Sequence, residues 1–231
     1  MPPQPKAEDR ISRGREAELA YMRQAAGAGF NVIDRNAGGE GAPLIFVPGY
    51  GQLALPDAEL SARFYHPADG GLVAHRSQHE VKSRRPTGRG EISIPLSNVQ
   101  AYAILAEVTG ADSPTTPNSI LVAIEPEGDD DSFLIAPADR LHEAVTGFGL
   151  VCRNNYGRNA TGELAEAPYF DLGSDIWQRF PKWVLDKLGV SVDELAKLTR
   201  QHNRAASAAA LGRLDAATKA ASQRPAMTPR R

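Results

Sequence analysis

The stretch from Leu72 to Leu96 contains the densest group of ionisable side chains in the sequence, so chemistry is expected there first. His75, His79 and Glu80 are of the types that act as general acids, general bases or metal ligands. Their order, H-x-x-x-H-E, differs from the H-E-x-x-H pattern of zinc proteases. In a strand, the two histidines would share a face about 13 Å apart, too far for one metal ion. The spacing therefore favours an acid–base role or an ordinary polar loop over a metal site.

The same stretch continues into a basic segment whose proline and glycine residues argue against a helix. We define the basic arm by its cations: Arg76, Lys82, Arg84, Arg85 and Arg89. A guanidinium group can bind phosphate through two parallel hydrogen bonds, and a loop between two strands can follow a nucleic-acid backbone. The arm therefore predicts contact with phosphates. The alternative is a solvated loop that pairs with acidic residues of the same chain.

Three consecutive carboxylates, Asp129, Asp130 and Asp131, are candidate ligands for a divalent cation. They do not meet the spacing of an EF-hand loop, and EPEGDDD between two apolar segments is typical of a solvated hairpin turn. No metal site is predicted from these residues alone. If they lie beside the basic arm, a nuclease-like site becomes a hypothesis.

A glycine-rich stretch from Gly49 to Ala54 matches the G-x-G-x-x-A pattern of dinucleotide-binding turns. Pro48 interrupts the strand exit, and Pro56 leaves no room for the helix that must follow. The stretch is interpreted as a turn, and no cofactor is predicted. The sequence also lacks the G-x-S-x-G pattern of serine hydrolases, and Cys152, in an apolar strand, is interpreted as inert.

A long basic helix is predicted from Ser191 to about Ala221. Ser191 and Glu194 have the capping-box spacing at its start, and the alanine-rich second half favours helix. Arg200 and Arg204 on this helix are candidate nucleic-acid contacts. The alternative is that the basic residues complement the helix dipole and the acidic part of the chain.

The elements around these candidates are short strands and helices without a regular strand–helix repeat, which predicts an α+β fold. A small mixed or antiparallel sheet with packed helices and a C-terminal helical segment is expected. Helices are predicted over residues 12–26, 58–64 and 97–109, and strands over 72–74, 91–96, 119–124 and 132–135. The predicted organisation is a disordered lead-in (1–11), an α+β core domain with an N-terminal helix (12–172), a C-terminal helical segment (173–222) and a basic tail (223–231).

Composition narrows the class of protein. With 42% hydrophobic and 23% charged residues and a net charge of −2, the 231 residues are those of a globular protein. There is no apolar run of membrane-spanning length, no signal-peptide pattern and one cysteine, which predicts a cytoplasmic protein without membrane contact or internal disulfide. The alanine, arginine, glycine and proline content suits a bacterial, plasmid or phage protein.

The leading hypothesis from the sequence is a DNA- or RNA-associated binding or regulatory protein that contacts phosphates through the basic arm and the C-terminal helix. The first alternative is a metal-dependent phosphodiester hydrolase, in which His75 or His79 acts as acid or base and Glu80 or the three aspartates hold a cation. The second alternative is an interaction factor or inhibitor that binds an acidic protein partner. The sequence leaves open whether the protein is an enzyme.

Overall fold

The computed structural model describes residues 7–38, 41–84, 92–110, 119–126, 133–147, 152–158, 164–172 and 175–222. These residues form five helices: α1 (Ala7–Gly27), α2 (Leu96–Gly110), α3 (Ala138–Gly147), α4 (Lys182–Leu188) and α5 (Val192–Ser222). They also form eleven strands: β1 (Asn31–Asp34), β2 (Leu44–Val47), β3 (Gly51–Ala54), β4 (Ala58–Tyr65), β5 (Leu72–Arg84), β6 (Ile92–Pro95), β7 (Ser119–Pro126), β8 (Leu134–Pro137), β9 (Cys152–Arg158), β10 (Leu164–Leu172) and β11 (Gln178–Arg179).

A mixed six-stranded sheet in the order β1-β4-β5-β7-β8-β11 forms the centre of the fold. β4 and β5 form a long antiparallel hairpin, and β7 pairs in parallel with β5 after a connection that contains α2. A second, antiparallel sheet consists of β6, β10 and β9. A separate two-stranded hairpin, formed by β2 and β3, lies in the chain segment that connects β1 to β4. The predicted α+β class with a mixed sheet is confirmed.

The two faces of the central sheet enter two separate hydrophobic cores. In the first core, the sheet packs against α1, α4 and the start of α5, with Tyr21 and Phe180 fully buried. In the second core, it packs against α2 and α3 through residues such as Leu105 and Leu141. β7 contributes to both because its side chains alternate between the faces: Leu121 and Ala123 enter the first core, and Ile120, Val122 and Ile124 enter the second.

Local sequence signals set the ends of the C-terminal helices. α4 is followed by Gly189, whose φ of 67° is a left-handed conformation that glycine adopts without strain. At the start of α5, the backbone N–H of Ser191 donates to the Glu194 carboxylate at 2.8 Å, and the N–H of Glu194 donates to Ser191 Oγ at 3.3 Å. This is the predicted capping box, and the predicted C-terminal helix is confirmed.

The largest difference from the sequence-based expectation concerns residues 58–64, which form strand β4 instead of a short helix. The apolar side chains at every second position of this segment are buried: Ala58, Leu60, Ala62 and Phe64. A period of two is the burial pattern of a strand, and pairing with β5 supplies the backbone hydrogen bonds that the segment lacks alone. β5 itself runs through the segment predicted as a loop, so its polar side chains have fixed directions.

None of the helices within the described residues is both long and apolar enough to cross a membrane. The longest of them, α5, combines alanine with many charged side chains.

Candidate active site on the charged face of strand β5

Strand β5 has polar side chains on both faces at the centre of the sheet. Its residues from Ser77 to Glu80 are all buried. Because successive side chains of a strand point to opposite faces, these residues separate into two rows. We call His75, Ser77 and His79 the histidine row, and Arg76, Gln78, Glu80 and Lys82 the charged row.

The histidine row forms a continuous hydrogen-bond chain in the first core. Tyr21 Oη of α1 lies 2.6 Å from His79 Nδ1, and Ser77 Oγ lies 2.7 Å from His79 Nε2. Ser77 Oγ also lies 2.9 Å from Nε2 of His75. A neutral imidazole has one donor and one acceptor nitrogen, so Tyr21 and Ser77 together satisfy both nitrogens of His79.

Burial keeps both histidines neutral. Removal from water lowers the pKa of His79 to about 3, and the neighbouring His75 adds to this effect. Burial, with a contribution from the charge of Lys187, lowers the pKa of His75 to about 4. His79 is fully buried and both of its nitrogens are bonded, so it has no path for exchanging a proton with a substrate.

On the opposite face, Glu80 lies beside Asp57, the residue that precedes β4. Ala58 pairs with His79, which places Asp57 opposite Glu80 at the next position of the hairpin. Asp57 Oδ2 accepts a 2.9 Å hydrogen bond from the backbone N–H of Val81. Asp57 and Glu80 are each 8% exposed, so two carboxylates far apart in sequence share one nearly buried place.

A lysine and a tyrosine complete this group. Lys82 Nζ forms an ion pair with Oε1 of Glu80, and Tyr102 of α2 donates a 2.9 Å hydrogen bond to the same oxygen. The side chain of Lys82 is 31% exposed, so the group reaches solvent on the lysine side. We call Asp57, Glu80, Lys82 and Tyr102 the carboxylate site.

Ionisation of Asp57 is unfavourable in this setting. Burial and then the charge of Glu80 raise its pKa to about 7, although Lys82 and the Val81 N–H act in the opposite direction. Two neighbouring carboxylates in a nearly buried place resist carrying two negative charges. A group with this property stabilises the fold poorly, and such groups are concentrated at functional sites.

Glu59, two residues further along β4 on the same face, has the opposite character. Arg76 donates to its two carboxylate oxygens at 2.7 and 2.9 Å, and Arg35 donates to one of them at 2.6 Å. The hydrogen bonds of Arg76, and to a smaller extent of Arg35, lower the pKa of Glu59 in spite of its burial. Arg35 also donates a 2.7 Å hydrogen bond to Gln78, so this ion-pair group continues the charged row away from the carboxylate site.

The structure places the predicted residues of β5 in different environments. Glu80 and Lys82 lie in the carboxylate site, and Arg76 lies on the same face beside Glu59. His75 and His79 point into the first core, away from those three. The predicted combination of histidine with Glu80 is therefore not brought together, because consecutive strand positions face opposite ways.

The other predicted residues lie elsewhere. Arg200 and Arg204 are exposed on α5, which packs against β4 on the side of the first core. Arg84 is the last residue of β5, and its side chain is not among those described. Outside the described residues lie Arg85, Arg89, Asp129, Asp130 and Asp131.

Sequence reasoning missed Asp57, Glu59 and Tyr102. The available signal was alternation, because charged and apolar residues alternate from Asp57 to Leu60 and again from Glu80 to Lys82. Interpreting residues 58–64 as a helix removed that signal from β4. Tyr102 lies on a separate helix, and its approach to Glu80 depends on how α2 packs.

A metal ion at the carboxylate site would need ligands beyond the protein. Within the described part of the chain, no three histidine, cysteine, aspartate or glutamate side chains form a group that could hold a metal ion. Mg²⁺ is commonly bound by one or two carboxylates, with water and substrate phosphate completing its coordination. Asp57 and Glu80 fit that second mode.

Comparison with known proteins adds no assignment. No protein-family model matches the chain, and neither curated proteins nor solved structures give a match. The functional conclusion therefore rests on the chemistry of the carboxylate site.

Proposed function

We propose that the protein is a metal-dependent phosphodiester hydrolase that acts on nucleic acid. The observation that carries this proposal is the placement of Asp57, Glu80 and Lys82 on one face of two neighbouring strands. Carboxylate oxygens are suitable ligands for Mg²⁺ or Mn²⁺. A bound cation with an adjacent lysine can stabilise the charge that develops during phosphodiester cleavage.

The energetics of Asp57 support a cation-binding role. Its described hydrogen bond comes from a backbone N–H, and its neighbour Glu80 is also acidic. Glu59 demonstrates how the same sheet stabilises a buried carboxylate when the role is structural, with two guanidinium groups. A divalent cation between Asp57 and Glu80 would relieve the repulsion between the two carboxylates.

In the proposed reaction, water adds across the phosphodiester bond. The water oxygen forms a bond to phosphorus while the bond from phosphorus to the leaving ester oxygen breaks. One proton passes from the attacking water to solvent, and the leaving oxygen takes a proton from another water, which yields a phosphate monoester and an alcohol. Asp57 and Glu80 would hold the cation, which would supply Lewis-acid stabilisation of the developing charge. Lys82 would stabilise negative charge, and Tyr102 orients Glu80 through its hydrogen bond.

Charge in the surrounding sequence supports nucleic acid as the substrate. Lys82 is followed along the chain by Arg84, Arg85 and Arg89, and Arg76 lies at the other end of the charged row. Closely spaced arginines bind the phosphates of a polynucleotide through charge-assisted hydrogen bonds. The phosphate contact predicted for the basic arm thus becomes part of substrate binding in this proposal.

Cleavage assays on single-stranded DNA, duplex DNA and RNA test the proposal. Turnover is expected with Mg²⁺ or Mn²⁺ and is expected to stop when a chelator is added. Asp57→Asn or Lys82→Ala should lower the rate about 100-fold or more, because each change removes a charge from the reacting centre. The matched control is Asp69→Asn, an exposed carboxylate in the turn at the other end of the β4–β5 hairpin, which should retain the activity.

Two results would count against the proposal. Equal activity of wild type and Asp57→Asn would remove the carboxylate site from the reaction. Salt-sensitive binding of nucleic acid without cleavage in either metal would instead favour the non-catalytic binding protein that the basic arm suggests.

A further inference from the structure

We infer that Arg76 binds a second phosphate of the substrate, at a distance from the phosphate that is cleaved, and that Glu59 and Arg35 position Arg76 for this contact. The inference rests on the proposed function and deepens it, because it assigns to one residue the contact with a second phosphate of the nucleic acid. Three features of the charged row support it.

The first feature is distance along the strand. Arg76 and Glu80 share a face of β5 but are separated by four residues, which corresponds to about 13 Å. Gln78 lies between them and is held by the guanidinium of Arg35. A phosphate bound by Arg76 is therefore a different phosphate from one held at the carboxylate site.

The second feature is the fixed orientation of Arg76. Its Nε and Nη2 donate to the two oxygens of Glu59 at 2.7 and 2.9 Å. The Glu59 side chain is 10% exposed and the Arg76 side chain is 57% exposed, so the carboxylate lies beneath the guanidinium group. A guanidinium group has five N–H donors in a rigid plane, and the edge that does not face Glu59 is presented to solvent. That edge suits two parallel hydrogen bonds to a phosphate.

The third feature is uncompensated charge. Arg35 donates to the same carboxylate at 2.6 Å, so one glutamate is shared by two guanidinium groups and the three side chains carry a net charge of +1. Because the Arg35 side chain is only 13% exposed, the excess charge is accessible at Arg76, where an anion can balance it.

The surrounding sheet face is open. Arg63 of β4, on the same face as Glu59, is exposed, and so is Ala74 of β5, which pairs with it. The covered part of this face begins at Gln78. Arg76 therefore lies at the open end of this face, where a phosphate can reach it without displacing a helix.

Binding of a fluorescent single-stranded oligonucleotide, measured by anisotropy, tests the inference. The Asp57→Asn protein serves as the background so that cleavage does not interfere. Arg76→Ala should raise Kd about tenfold, the loss of one charge-assisted contact, and should reduce the slope of log Kd against log salt by about 0.7 to 0.9. Glu59→Gln should raise Kd less and keep the slope, because both arginine charges remain. Arg23→Ala, an exposed arginine of α1 on the side of the first core, is the matched control and should change neither quantity.

Cleavage gives a second readout in the otherwise unchanged protein. Bis(p-nitrophenyl) phosphate has a single phosphate, so it cannot contact Arg76 and the carboxylate site together. Arg76→Ala should lower the ratio of kcat/KM for the oligonucleotide to kcat/KM for the small ester about tenfold, mainly through KM for the oligonucleotide.

The inference is overturned if Arg76→Ala leaves Kd unchanged, if it raises Kd without reducing the salt slope, or if the two substrates lose activity equally. The last two results would mean that Arg76 only supports the sheet. A wild-type protein that cleaves neither substrate, while Arg76→Ala still weakens binding with a smaller salt slope, would refute the hydrolase proposal and leave the phosphate contact in place.

Discussion

The histidine row and the charged row lie on the same strand, and the two differ in how their polar groups are stabilised. His79 is neutral, fully buried and hydrogen-bonded at both ring nitrogens by Tyr21 and Ser77. Asp57 and Glu80, across the strand, are two acids in one nearly buried place. Burial alone therefore does not distinguish a structural polar group from a functional one. The atoms that surround a buried polar group make this distinction. A group whose hydrogen bonds are satisfied stabilises the fold, whereas an acid buried beside a second acid is available to a ligand.

The same contrast occurs within the charged face. Glu59 and Asp57 are two residues apart and both buried, but hydrogen bonds from two arginines lower the pKa of Glu59, whereas burial and Glu80 raise that of Asp57. In the proposed function, this difference corresponds to two roles: Glu59 orients its arginines, and Asp57 binds the cation.

The largest expected effect is a difference in cleavage rate between a variant of the charged row and a variant of the histidine row. Glu80→Gln should lower cleavage about 100- to 1,000-fold, because the cation loses a charged ligand. His79→Ala should keep most of its turnover per folded molecule, because His79 faces the first core. Initial rates normalised to the folded fraction from circular dichroism provide the comparison. Similar losses in the two variants would show that the rows do not have separate roles.

The next effect separates the rows by stability. His79→Ala should lower the free energy of unfolding by about 3 kcal/mol, because it leaves a cavity and removes the partner of Tyr21 and Ser77. Urea denaturation measures the change. His202→Ala, a partly exposed histidine of α5, is the control and should cost less than about 1 kcal/mol. A loss no larger than that of the control would contradict a structural role for the histidine row.

Replacement of the Asp57 carboxylate should change the free energy of unfolding in the opposite direction, toward greater stability. At pH 8, Asp57→Asn should raise the free energy of unfolding by roughly 2 kcal/mol, since the unfavourable charge is removed and the amide oxygen can still accept from Val81. Saturating Mg²⁺ should raise the Tm of wild type more than that of the variant. A variant that is less stable than wild type at pH 8 would mean that the Asp57 charge supports the fold.

The pH dependence of stability should contain two opposing contributions. The pKa values of His75 and His79 are lowered on folding, so below about pH 6.5 the unfolded chain binds protons that the folded protein does not. Their contribution to the free energy of unfolding is therefore complete above about pH 6.5 and is lost as the pH falls toward 4 and 3. The pKa of Asp57 is raised on folding, so its carboxyl group lowers the free energy of unfolding when it is ionised. This destabilisation is absent below about pH 4 and complete above about pH 7. Asp57→Asn should therefore lose stability more steeply than wild type between pH 6.5 and 4. Urea titrations across this range measure both slopes, and parallel curves would contradict the assignment.

The smallest expected effect concerns the C-terminal helix. Arg200→Ala with Arg204→Ala should change oligonucleotide affinity by less than about twofold, since α5 packs on the side of the sheet opposite the carboxylate site. The anisotropy assay described for Arg76 measures it. A loss as large as that of Arg76→Ala would extend the nucleic-acid contact to α5, as the sequence-based hypothesis expects.

The sequence by itself determined features that depend on neighbouring residues. The capping box of Ser191 and Glu194 predicted the start of α5, and Pro48-Gly49 predicted the end of strand β2. The stretch from Gly49 to Ala54 was interpreted as a turn, but its last four residues form strand β3, which pairs with β2. Glu80 and Lys82 were among the predicted site residues because ionisable groups are dense around them. These signals are local, so they can be detected without knowledge of the fold.

Tertiary structure alone decided which of those residues act together. Asp57 meets Glu80 only because β4 pairs with β5, and the same pairing turns His79 away from Glu80. Gly29 provides a second example: a Cβ there would lie 2.5 Å from the backbone of Ala196 in α5, a constraint that no neighbouring residue of the chain reveals. The physical reason is that the direction of a side chain follows from the local backbone period, whereas its partners come from strand pairing and helix packing between distant segments.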